Sequence, residues 1–107
     1  MSASTDETPV LDLLATMTAA SLDASSLDAH SLMLVRIAAL VAVDAPTVSY
    51  VTNLEAIASV GIDAERVRGV LAAIAPIVGT ARVASATGKI VDALDVVIEV
   101  AEQDRPS

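Results

Sequence analysis

Apolar residues in this chain recur at intervals of three and four along nearly its whole length. No stretch sustains the alternation of apolar and polar side chains that a half-buried strand requires. That periodicity restricts the fold to helices packed on helices, an all-α class, and the punctuation divides it into five. Thr8 stands before Pro9, whose missing N–H costs nothing at a first helical position, and predicts a first helix running to about Ser21. Asp28 caps a second helix over 29–43; Asp44, Ala45 and Pro46 stop it and open a third over 46–60, closed by Gly61. Asp63, with Glu65 in the next turn, starts a fourth that ends at Gly79 and should kink at Pro76. The fifth covers 81–102. The segments 29–43 and 46–60 are expected to pair as an antiparallel hairpin inside a single domain over 1–107, with residues 1–8 and 103–107 frayed.

These helices have little bulk to place between them. Hydrophobic residues form 54% of the chain, yet Tyr50 is its one aromatic residue, so the core must be built from Ala, Val, Leu and Ile. A folded monomer of this mass exposes about 5,600 Å², and few polar side chains are available to cover it. Exposed apolar surface of that kind is most simply covered by copies of the same chain. A homotrimer is expected, or a hexamer of two trimers, with the second and fifth helices near the interface.

The chain has no cysteine, which rules out a disulfide, a thiolate nucleophile, Cys-ligated zinc and iron–sulfur sites. Its formal charge is −8, and its basic residues are scattered at Arg36, Arg66, Arg68, Arg82, Lys89 and Arg105. Nucleic acid and anionic membrane, which need clustered positive charge, are not expected partners. A mean hydropathy of +0.67 raises the question of a membrane span. The longest uncharged apolar run, 69–81, contains Pro76 and Gly79 and is shorter than the ~20 residues a spanning helix needs. Residues 2–8 carry Asp6 and Glu7 and no positive segment, so a cytoplasmic protein is expected.

The runs LVRIAALVAV (34–43), NLEAIASVG (53–61) and GVLAAIAPIVG (69–79) follow one another in an order and spacing that resemble the carboxymuconolactone decarboxylase and alkylhydroperoxidase D superfamily. The likeness covers about half the chain, from Leu27 to Arg82. It implies a five-helix bundle whose central hairpin carries the active site, assembled as trimers or hexamers. Peroxidase-type members carry a Cys-x-x-Cys-x-x-x-His run whose His precedes the helix-ending Gly by eight residues. Counting back from Gly61 puts that His at Asn53, the two Cys at Pro46 and Ser49, and a partner Glu near Leu34. The Arg with which decarboxylase-type members hold a carboxylate falls at Leu32. Every motif position is substituted. The resemblance therefore implies a catalytically degenerate domain for assembly or small-ligand binding, with no catalytic residue, cofactor or metal assigned. Two rival expectations are an active superfamily enzyme working through residues such as Tyr50 and Asn53, and an oligomeric scaffold engineered on this fold.

Among polar residues, Ser49, Tyr50 and Asn53 could line a surviving pocket and offer hydroxyl and amide groups to a small polar ligand. The competing account has Ser49 and Asn53 satisfying backbone groups while Tyr50 fills core. Arg36 lies in an apolar run and needs a partner, which Glu55 on the next helix could supply as a structural ion pair. His30 has no second His or Cys at ligand spacing and is expected to be exposed. Asp92, Asp95, Glu99 and Glu102 follow one another at three, four and three residues, a solvated face. Opposite them Ile90, Val91, Leu94, Val97, Ile98 and Ala101 should pack inward or against a neighbour.

Overall fold

The computed structural model describes residues 8–103, and every regular element among them is a helix. The helices are α1 (Pro9–Ala24), α2 (Ala29–Ala42), α3 (Thr47–Ser59), α4 (Ala64–Val78) and α5 (Thr80–Gln103). The expected fraying falls, for residues 1–7 and 104–107, outside the described residues.

Local chemistry sets the boundaries. The Asp28 carboxylate accepts the Ser31 N–H at 2.8 Å, and Asp63 accepts the Arg66 N–H at 3.0 Å. Each satisfies a first-turn donor that a helix leaves without an internal partner. Gly61 (φ +84°) and Gly79 (φ +90°) supply the left-handed backbone that ends α3 and α4. Pro76 does not end α4, which continues to Val78. α1 runs three residues past Ser21, to Ala24, because Leu22, Asp23 and Ala24 contain no breaker.

α2, α3, α5 and α4 form a ring in which each helix touches the next. α5 lies mainly along α3, and α4 mainly along α2. The buried core is Leu32, Met33, Ile37 and Val41 from α2, Tyr50 and Ile57 from α3, and Ala86 and Ala93 from α5, with Ala45 and Ile62 from the connections. Ala86 and Ala93 are seven residues apart, two turns along one face. Their small size lets α5 sit close against its neighbours. α3 and α4 face one another across the ring without a close backbone approach.

α1 stands apart from the ring. It buries no side chain, and none of its Cα atoms lies within 8 Å of a Cα in another helix. Packed helices hold their axes 8–10 Å apart, which brings many Cα atoms closer than that. No helix among the described residues is long and apolar enough to cross a membrane.

Candidate functional site

The three residues expected to share a pocket do not converge. Tyr50 turns into the core, 2% exposed, and its hydroxyl has no hydrogen-bond partner among the described residues. Burial, and secondarily the nearby Asp44 charge, push its phenol above the usual range. Ser49 and Asn53 lie instead on the side of α3 that faces α1. There they line an open seam of about 480 Å³ with Leu11, Leu14, Thr18 and Leu22. Asn53 Nδ2 donates to the Ser49 carbonyl at 2.7 Å, and the Thr52 hydroxyl donates to the same carbonyl at 2.9 Å. Thr52 and Asn53 are thus tied to the backbone of their own helix, whereas the Ser49 hydroxyl takes part in neither bond.

Arg36 and Glu55 do not form the expected ion pair. Arg36 Nη2 reaches back to the Thr18 carbonyl of α1 at 3.4 Å, whereas Glu55 lies on the rim of a groove between α3, α4 and α5. Arg36 of α2 and Glu55 of α3 thus serve different neighbours. His30 is half-buried rather than exposed, and Arg66 Nη1 donates to its Nε2 at 3.4 Å, joining the starts of α2 and α4. Asp92 and Asp95 are exposed on α5; the side chains of Glu99, Glu102, Val97 and Ala101 lie outside the described residues.

Sequence reasoning missed the main polar cluster. Asp44 adopts φ +54° after α2, a left-handed conformation uncommon for a residue with a Cβ. Side chains of α5 hold it there. Lys89 Nζ donates to the Asp44 carboxylate and to the Ala45 carbonyl, both at 2.9 Å, and the Ser85 hydroxyl donates to that carboxylate at 2.9 Å. Arg82 donates to the Ala42 carbonyl. Three α5 side chains thus serve the open C-terminal end of α2, where unpaired carbonyls attract positive charge. Hydrogen bonds from Lys89 and then Ser85 hold the Asp44 carboxyl below its usual 3.8. The readable signal was Asp44 following a helix end and two cations, Arg82 and Lys89, seven residues apart in the first half of α5. The partners lie forty or more residues away in sequence, which hid the pairing. Its chemistry is that of a clamp, since Arg82, Ser85 and Lys89 all donate to backbone or to Asp44.

Two apolar surfaces among the described residues bear on function. The groove between α3, α4 and α5 has a volume of about 420 Å³, with walls formed by Leu54, Ile57, Val67, Leu71, Ile90 and Leu94 and with Glu55, Asp63 and Arg68 at its rim. It exists because α3 and α4 do not close on one another. The second surface is α1. Val10 is 66% exposed, Leu13 58% and Met17 56%, and Leu11, Leu14 and Leu22 are also exposed. Compared with protein-family models, curated proteins and solved structures, the chain matches none.

Proposed function

We propose that this chain is a self-assembling, non-catalytic helical domain of carboxymuconolactone decarboxylase-like build, a subunit of a closed homo-oligomer of three or six copies. One observation carries the reading: outside a strip of Asp12, Thr16 and Asp23, α1 presents large apolar side chains, and the chain buries none of them. A helix with that much apolar surface wants cover, and the single chain provides only an open seam against α3. Burying what remains exposed of six large aliphatic side chains is worth on the order of 5–10 kcal/mol. That equals the whole stability of a small domain, so α1 is a poor solvent-facing helix and a strong association element.

Support for the superfamily build comes from the order of the runs 34–43, 53–61 and 69–79 and from the two helix-ending glycines. The non-catalytic part rests on substitution of every motif position and on the Asn53 amide and Thr52 hydroxyl both being tied to the Ser49 carbonyl. The residues that line the seam with Ser49 include no His, Lys or carboxylate to activate its hydroxyl. Light scattering on the intact protein at micromolar concentration tests the reading. A mass of three or six times 10.9 kDa supports it, and a monodisperse species of 10.9 kDa defeats it.

The α3–α4–α5 groove supports a second, compatible reading. Its walls are almost wholly aliphatic, so the small molecule it would accept is apolar and not the polar ligand expected from Ser49, Tyr50 and Asn53. An apolar fluorophore titrated against wild-type protein and Leu71→Glu tests this. Equal binding by both would reject the groove as the site.

A further inference from the structure

The side of α1 turned away from its own chain carries a regular pattern that the fold leaves unused. Leu11, Leu14, Thr18 and Leu22 face α3 across the open seam. Val10, Leu13, Met17, Ala20 and Ala24 lie on another side, and all five are exposed. Their spacing is three, four, three, four, the a/d repeat of a helix that packs knobs into holes along a partner. Asp12, Thr16 and Asp23 form a separate polar strip, and no charge interrupts the a/d line.

We propose that this line pairs with the same line on α1 of a second copy, the two helices running antiparallel about a two-fold axis. The inference rests on the assembly reading above and adds the surface that mediates it. The sizes along the line favour a self-complementary pair. Val10 and Leu13 occupy its N-terminal half and Ala20 and Ala24 its C-terminal half, with Met17 in the middle. Antiparallel pairing sets the large half of one helix against the small half of the other, which fills space evenly and lets the backbones approach. A parallel pair would place large on large and small on small. The contact is isologous and therefore demands an even number of chains. Of the two assemblies expected, it selects the hexamer.

Because the chain has no cysteine, single thiols report the contact cleanly. Met17→Cys, Asp12→Cys and Leu71→Cys are oxidised under mild conditions, alone and mixed, and Val10→Cys is mixed with Ala24→Cys. Thiols held together by the seam react at an effective millimolar concentration against micromolar in bulk, so Met17→Cys should form disulfide dimers up to about a thousand-fold faster than Asp12→Cys. The mixed Val10→Cys and Ala24→Cys sample should give the heterodimer in preference to either homodimer. Met17→Asp should halve the mass seen by light scattering and lower helical circular dichroism by no more than the share of the 16 residues of α1, since Met17 is exposed and supports no core contact. An assembly in which Met17→Cys reacts no faster than Asp12→Cys, or couples preferentially to Leu71→Cys in the groove of another copy, overturns the seam and leaves self-assembly standing. An odd-numbered assembly also overturns the seam alone. A monomer at every concentration overturns both.

Discussion

Replacing Tyr50 with Phe should stabilise the protein. The ring sits in the core at 2% exposure, and its hydroxyl has no hydrogen-bond partner among the described residues. Burying an unpaired hydroxyl costs about 1–3 kcal/mol relative to leaving it in water. Phe keeps the ring and its contacts and removes only that oxygen, so a gain of about 1 kcal/mol is expected at the low end of that range. For a domain of this size, such a gain raises Tm by roughly 4–8 °C. Thermal denaturation followed by circular dichroism measures it. Protein concentration must be held equal for both proteins, because assembly makes Tm concentration-dependent. The phenol is held above its usual range by burial, so the comparison is the same throughout neutral pH. A Tyr50→Phe protein that melts several degrees lower would mean that the hydroxyl has a partner in solution. Tyr50 would then be the polar group of a ligand site, and its placement in an inert core would be wrong.

Lys89→Met keeps the aliphatic stem but removes the donors that hold Asp44, and it should lower Tm by roughly a few degrees. Asp44 has a depressed folded pKa, so its contribution is complete above the usual 3.8 and disappears as pH falls through the lower folded value. An acid titration of stability should therefore flatten in Lys89→Met, and equal acid sensitivity in both proteins would refute the clamp. Two glycines should respond with opposite signs to alanine, although neither Cβ would meet an atom within 4 Å. Gly61→Ala should cost about 1 kcal/mol because Gly61 has φ +84°, whereas Gly69→Ala inside α4 should gain about 0.5–1 kcal/mol. Ala93→Leu should destabilise by about 1–3 kcal/mol, because Ala93 is fully buried where α5 meets the core.

The helices were legible because their signals are local. Asp28 and Asp63 cap as their positions suggested, and Gly61 and Gly79 stop their helices through the positive φ that glycine tolerates. The long-range polar pairs were not legible. Arg36 needed a partner, but spacing alone could not distinguish Glu55 from a carbonyl of α1, because the choice depends on how each helix is rotated about its axis. The same rotation separated Tyr50 from Asn53. A spacing of three puts them within a turn of one another, yet α3 lays Tyr50 and Ile57 on the core and leaves Asn53 at the edge. The Asp44 cluster depends on α5 returning to the end of α2, a matter of topology that no local pattern encodes. The outward line on α1 could have been read from Val10, Leu13 and Met17, had the exposure of that helix been known.

Hydrogen exchange along α1 tests the central claim most directly. A helix of 16 residues standing alone in water is marginal, so without a covering surface its amides should exchange almost as fast as those of an unfolded peptide. With α1 buried between copies, residues 13–24 should be protected at micromolar concentration to an extent comparable with α2, and dilution that dissociates the assembly should remove that protection from α1 first. Rapid exchange across α1 at every concentration, beside a protected α2, would contradict the account.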